Sequence, residues 1–179
     1  MKAITIPQPY ASLIIIGAKR FLTMDRATAY RGPVAIHARK AEIAPDTKAG
    51  LALWHSVVHA MGQGADWSLD ATHRAVRFME SDGRCVYQDQ FPHGAVLATA
   101  RLAECWEVRH VEKYGAVLGI DRADKHDDKL IRGPANELLF GDWTPGRYAW
   151  ELADVQPLPA PVPAKGRPGL WEWEVDGAP

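Results

Sequence analysis

Cysteine is nearly absent from this chain: Cys85 and Cys105 are its only two, and no C-x-x-C spacing occurs. That speaks against a disulfide scaffold or a zinc ribbon and makes a reduced, cytoplasmic protein the expectation. Neither sign of charge is in excess. With 21 Lys and Arg against 22 Asp and Glu, the formal net charge is -1. A protein living on bulk duplex needs a broad cationic surface to displace counterions, so that class is disfavoured, although a local basic groove is not. Long apolar runs are missing too. The longest near the N-terminus, Ala11 to Gly17, is far too short to span a bilayer. No cationic stretch precedes it and it follows Pro7-Gln8-Pro9, so it makes a poor signal peptide. Ser12 and Ser56 lack a G-x-S-x-G context, and Gly62-Gln63-Gly64 lacks the strand and spacing of a phosphate-binding loop. His55 and His59 have the i, i+4 spacing of a metalloprotease helix, but Ser56 stands where its Glu belongs and no third ligand is nearby. No metal and no cofactor are expected.

What is present is an ordinary globular composition, 47% hydrophobic and 24% charged over 179 residues, enough for one domain with a real core. Met1 to Pro7 alternates and is β-branched, which predicts a first strand, stopped by Pro7-Gln8-Pro9. Tyr10 to Ile16 reads as a short buried helix with Gly17 as the residue that ends it. Arg20 to Asp25, Val34 to Ala38, Ala95 to Val108, Gly146 to Leu152 and Leu170 to Val175 are further strand candidates. Two capped helices, within about 46–83, look like an insertion between strands. The charged stretch from His110 to Asp142 reads as loop with broken helical pieces, and the prolines of 157–168 as a polyproline-like wrap. Together these predict an α+β domain spanning 1–179, a small curved sheet or β-barrel with peripheral helices.

One lysine stands out. Lys19 lies just past the glycine that ends the short helix, and Leu22 and Met24 follow where polar partners might be expected. A lysine aimed into an apolar cleft loses hydration, which disfavours its charged form and makes it a base or a nucleophile. It can equally be a phosphate contact. Arg20, Arg26, Arg31, Arg39 and Lys40 cluster around this segment as a basic rim or as plain surface charge. Tyr10 and Tyr30 flank it, while Tyr148, Trp150, Trp171 and Trp173 fall on late strands, either as base-stacking platforms or as core. Alternation puts Trp171 and Trp173 on one face and Glu172 and Glu174 on the other.

Several segments, in order, resemble the ASCH domain family: Ile6 to Ala11, the Gly17-Ala18-Lys19 step, Tyr30 to Ala38, and Gly94 to Ala100. Phe140-Gly141-Asp142, Pro145 to Trp150 and Gly169 to Trp173 continue the likeness and carry it to both ends of the chain. The resemblance implies a PUA-like fold, a small β-barrel whose cleft is fenced by the first helix and the strand after it. Family members are described as RNA-binding or coactivator-associated, and a bacterial branch looks like amidohydrolases that remove acyl groups from the exocyclic amine of cytidine. There a lysine, a threonine and a glutamate carry the reaction, and Lys19 matches the lysine. The family places an acid or that threonine three residues after the lysine and an arginine five after it. Here those positions are Leu22 and Met24, and Thr23 is one residue off. On a strand Thr23 then points to the opposite face unless a bulge re-aims it. The glutamate position falls near Arg101, with Glu104 the nearest acid.

The expected catalytic set is therefore Lys19 as base, Thr23 as nucleophile and Glu104 as acid. Gln8, Pro9, Tyr10, Leu22, Met24, Tyr30 and His37 are the expected substrate-facing residues. Leu22 and Met24 leave room for an apolar acyl group where an acid–arginine pair would obstruct it. The expected ligand is a modified pyrimidine nucleoside or single-stranded RNA, with no membrane partner. A non-catalytic module for RNA or a modified base needs only a cleft, a basic rim and stacking aromatics. A ribonuclease working through Lys19 and His37 is a third reading.

Overall fold

The computed structural model describes residues 1–40, 92–112, 115–122, 125–132 and 136–174. The helical insertion expected at 46–83, with His55, Ser56, His59 and the Gly62 to Gly64 turn, lies outside the described residues. What is described is a mostly-sheet domain with few helices. Its elements are β1 (Lys2–Ile6), α1 (Tyr10–Ile15), β2 (Phe21–Met24), β3 (Gly32–Ala38), β4 (Ala95–Glu112), β5 (Gly115–Arg122), β6 (Lys125–Arg132), α2 (Asn136–Leu139), β7 (Tyr148–Pro163) and β8 (Leu170–Glu172).

The strands form one mixed sheet in the order β2-β7-β4-β3-β1-β8, with the β5–β6 hairpin attached to β4, and this sheet is not closed. β1 and β3 run parallel, Ile4 opposite Ile36, while the other pairings are antiparallel. Alternation sorts the side chains. Ile4 and Ile6 of β1 face the main core, and Ala3 faces a smaller cluster with Ala35, Val96, Trp171 and Trp173.

The sheet is strongly curled. Leu22 of β2 and Ile4 of β1 stand far apart in strand order, yet both belong to one core cluster with Ile14, Ile36, Leu97, Leu102 and Trp150. β4 supplies the bend: its pairing with β7 slips between Val96 and Ala98, between Thr99 and Arg101, and between Leu102 and Glu104. Each slip adds local twist that turns the strand around the core. Each aliphatic side chain fully buried there contributes about 1.5–3 kcal/mol.

Two segments differ from the sequence reading. The charged stretch after His110 contains a regular hairpin, with β5 and β6 paired from Gly115–Arg132 to Arg122–Lys125. Its inner strand buries the side chains of Ala116, Leu118 and Ile120, and Asp127 and Asp128 are exposed on the outer strand. An edge strand needs no apolar face of its own, so its pattern looks like loop. The expected proline wrap is also strand as far as Pro163, because β7 continues along β4 with Ala98 opposite Pro157 and Ala95 opposite Pro163. Five steps of β7 from Pro157 to Val162 lie opposite two of β4, and an irregular stretch of this kind accommodates residues that lack an N–H. β2 pairs only with Tyr148 to Glu151, which leaves the proline half of β7 at a sheet edge.

The late tryptophans are core. Trp171 and Trp173 are buried while Glu172 and Glu174 are exposed, as their alternation predicts. Trp171 Nε1–H donates to Thr5 Oγ1 (3.1 Å) and Trp150 Nε1–H to the Arg26 carbonyl (3.0 Å), so neither presents a free face as a stacking platform. Among the described residues, no helix is long and apolar enough to cross a membrane.

Candidate functional site

The site begins with how α1 starts and stops. Pro9 occupies the N-cap position and has no side-chain oxygen to offer, so Gln8 does the capping: its Oε1 accepts from Ser12 N–H and Ser12 Oγ–H, both 3.1 Å. The Gln8 amide then donates to the Pro92 carbonyl (2.9 Å), which fixes the residue in the interior. Gly17 takes φ +75 at the other end, and Lys19 N–H returns to Leu13 O (3.0 Å). That turn swings the Lys19 side chain inward rather than out to water. Lys19 is only 3% exposed.

Its partner comes from far along the chain. Nζ donates to the Phe140 carbonyl and lies over the Tyr10 ring, 5.5 Å from the centroid. Phe140 is held by burial against Leu13, with Tyr10, Ile16 and Ala18 around them. The next residue allows the close approach: a Cβ on Gly141 would stand 2.8 Å from Thr23 Oγ1, 2.9 Å from Thr23 Cγ2 and 3.2 Å from Trp143 Nε1. With glycine there, Asp142 N–H reaches Thr23 Oγ1 at 2.9 Å. β2 meets this loop through alternation, Leu22 joining the core and Thr23 facing Gly141 and Asp142.

Burial lowers the Lys19 pKa from 10.5 to about 8, with the charge of Glu137 pulling the other way. Glu137, on α2, accepts from Arg20 N–H (3.1 and 3.2 Å to its two oxygens) and Phe21 N–H (3.2 Å). Burial raises its pKa, opposed first by Lys19 and then by those two backbone donors. Asp142 is exposed, and hydrogen bonds from Thr144 hold its carboxyl below the usual range. Arg147 Nε lies 3.4 Å from Asp142 Oδ2, an ion-pair distance without hydrogen-bond geometry, so this buried N–H has no acceptor among the described residues.

These groups line one cavity of about 450 Å³. Ile4, Ile6, Pro7, Tyr10, Leu22, Met24 and Phe140 make its wall largely apolar; Lys19, Asp142 and Arg147 are its charged members, and Thr5, Thr23 and the Tyr10 phenol add hydroxyls. A partly neutral amine, a hydroxyl that receives an N–H donor and an unsatisfied guanidinium N–H thus share an apolar pocket. Chemically, that set can accept a proton, present a nucleophile and donate to a developing oxyanion.

Of the residues expected from the sequence, Lys19, Thr23, Tyr10, Leu22 and Met24 come together in this cavity. Gln8 and Pro9 are buried at the start of α1, beside it rather than among its lining. Tyr30 donates its hydroxyl to the Pro33 carbonyl (2.6 Å), and its ring packs under Gly32. Glu104 is ion-paired with Arg31 (2.8 Å to Nε) and accepts from Cys105 N–H (2.9 Å), outside the cavity lining. The carboxylate coupled to Lys19 is instead Glu137. His37 lines a different hollow, where its Nε2 pairs with the Ala164 carbonyl at 3.0 Å and its ring meets Trp171 edge-on. The sequence reading missed Glu137, Phe140, Asp142 and Arg147 as site members. Phe140-Gly141-Asp142 and Arg147 sit inside the segments that carry the family likeness, which was the available signal.

Searches with known family models and among curated proteins find no match for this chain.

Proposed function

We propose that the chain is an ASCH-type domain on a PUA-like barrel, with a helical insertion at about 46–83. In this reading it works in the cytoplasm as a nucleoside-directed amidohydrolase, removing an acyl group from the exocyclic amine of a modified cytidine bound in the Lys19 cavity. The observation that carries this reading is a buried lysine of lowered pKa that lines, together with Thr23, a pocket walled by Leu22 and Met24. The apolar wall suits an acyl chain and a neutral base better than a polyphosphate.

The chemistry follows from the groups present. At pH 7 about a tenth of Lys19 is neutral, since its pKa is about 8. The neutral amine keeps an N–H for the Phe140 carbonyl and turns its lone pair to the cavity. It takes the Thr23 hydroxyl proton as Oγ1 attacks the acyl carbonyl carbon, and Asp142 N–H steadies the charge building on that oxygen. The carbonyl oxygen becomes an oxyanion, and Arg147 Nε–H is the donor free to meet it. Collapse breaks the C–N bond, and the Lys19 ammonium returns its proton to the departing cytidine amine. Water then hydrolyses the acyl-threonine ester by the same proton route, releasing the acid.

The test is hydrolysis of acylated cytidines of increasing chain length, followed by release of cytidine. Wild type is expected to turn over, and kcat/KM to rise with pH up to about 8, where the free enzyme's Lys19 is half neutral, and then to level off. Arg147→Met is expected to lower kcat about 100-fold, as loss of an oxyanion donor does. Absence of turnover across the panel, with binding of cytidine intact, would sink the enzyme reading and leave the non-catalytic base-binding module.

A further inference from the structure

A second hollow, of about 1120 Å³, adjoins the Lys19 cavity; Thr5 and Pro7 line both. Its character is different. Arg39 and Lys40, just after β3, and Lys165 and Arg167, just after β7, line it along with His37 and His93, and no Asp or Glu is among its described lining. All four Arg and Lys side chains are exposed, and none is ion-paired among the described residues. Elsewhere on the described surface, Lys2, Arg26, Arg101 and Arg109 each stand beside a carboxylate. Like charges gathered with no counter-charge among the described residues repel, and the cluster is therefore suited to an anion.

The walls are fixed by backbone. Arg39 N–H donates to Ile6 O (2.8 Å), Gly94 N–H to Ala38 O (2.9 Å) and Ala164 N–H to Gly94 O (3.0 Å). Between the two cations of the far wall, Gly166 lies directly on His37. A Cβ there would stand 2.5 Å from His37 Cε1 and 2.8 Å from both His37 Nδ1 and Thr5 Oγ1. The absence of a side chain lets the segment lie close on His37 and Thr5, and Lys165 and Arg167 on either side of it line the same hollow as Arg39 and Lys40.

We propose that this basic hollow receives the phosphate groups of a ligand whose base occupies the Lys19 cavity, so that the preferred substrate is a nucleotide or a single strand rather than a free nucleoside. The proposal rests on reading the Lys19 cavity as a nucleoside site. In this proposal the ligand crosses from one to the other at Thr5 and Pro7, the residues that both hollows share. Arg and Lys contacts to phosphate oxygens fix register and add salt-dependent affinity.

The test uses three probes: cytidine, cytidine 5′-monophosphate and a short labelled single-stranded oligocytidylate, each with wild type and with Lys165→Ala/Arg167→Ala. The wild type is expected to bind at least one phosphorylated probe about tenfold or more tighter than cytidine. For the strand, four phosphate contacts give a slope of log K against log salt of about -3. The double variant should lose about tenfold on that probe and reduce the slope by about 1–2, with cytidine binding unchanged. A gain already complete with the mononucleotide identifies a single phosphate as the ligand group; a gain with the oligonucleotide alone identifies a strand. Equal affinity for all three probes, or a variant that binds them as wild type does, overturns the proposal. Turnover separates the two readings: hydrolysis without any phosphate effect removes this inference alone, whereas a phosphate effect without hydrolysis removes the amidohydrolase alone.

Discussion

The two hollows that meet at Thr5 and Pro7 treat positive charge in opposite ways. On one side a single ammonium is buried against Tyr10 and the Phe140 carbonyl, and its pKa falls to about 8. On the other, four cations stand in water at the rim of a larger, more basic space. Burial perturbs a charge and costs stability, whereas exposure leaves it ordinary and nearly free of cost. A lysine meant only to attract an anion has no reason to be buried. The contrast is the ground on which reactivity is proposed for Lys19 and attraction for the rim, and each proposal can be broken separately.

The largest effect should come from the buried side. Lys19→Ala is expected to reduce turnover of an acylated cytidine at least about 1000-fold, within the range that general bases supply. The same substitution should leave the salt dependence of strand binding unchanged, since the rim keeps its charges. Comparable losses of turnover in Lys165→Ala/Arg167→Ala on the free nucleoside would erase the distinction between the two regions.

Next comes the pH dependence of stability. The folded-state pKa of Lys19 is lowered to about 8 from 10.5, so between those values the unfolded chain binds more protons at this site than the folded one. Stability from this residue therefore rises with pH across that window. Below pH 8 its burial costs the fold about 3 kcal/mol relative to high pH. Urea denaturation of wild type and Lys19→Met at pH 7 to 10.5 should give difference curves that converge as the pH rises. Parallel curves would mean that Lys19 is solvated like the rim.

The uneven legibility of the sequence has the same physical origin. β1, α1 and the Trp171–Trp173 face were readable because alternation, a helix stop at Gly17 and residue parity are local signals. Lys19 could be singled out because it follows the helix-ending Gly17 and because Leu22 and Met24 stand where polar partners might be expected. Its acceptor could not, because a backbone carbonyl has no signature and Phe140 lies 121 residues away. Glu104 was the nearest acid in sequence but found Arg31, while Glu137 reached the lysine segment through Arg20 N–H and Phe21 N–H. The hairpin β5–β6 was hidden by exposed charges, and the strand half of the proline stretch by residues that ordinarily end strands. Pairing partners, rather than propensity, decided both.

A smaller effect should follow at the loop that joins β2 to the lysine. Gly141→Ala places a methyl group within 3 Å of the Thr23 side chain, on a loop whose Phe140 carbonyl holds Lys19. The expected cost is about 1–3 kcal/mol of stability from overpacking. The Thr23–Asp142 hydrogen bond must lengthen with it, so turnover should fall more than stability alone explains. Thermal unfolding beside kcat measures both. An unchanged kcat in a folded Gly141→Ala protein would detach this loop from the chemistry.

The smallest effect tests the other half of the comparison. Lys165 and Arg167 are exposed, with no ion pair among the described residues, so they hold no packing and no counter-charge in place. Removing both should shift stability by no more than about 0.5 kcal/mol, as substitutions at such surface sites do. The direction, if resolved, should be stabilising at low salt, because two members of a like-charged group are lost, and it should vanish as salt screens the remainder. Gly166→Ala is the structural control on the same segment, since its methyl group meets His37 and Thr5 and must lift the loop. If the double variant destabilises the fold as much as Gly166→Ala, the rim cations are structural. If it leaves stability in place while strand affinity falls, the charge on this side of β1 serves binding rather than the fold.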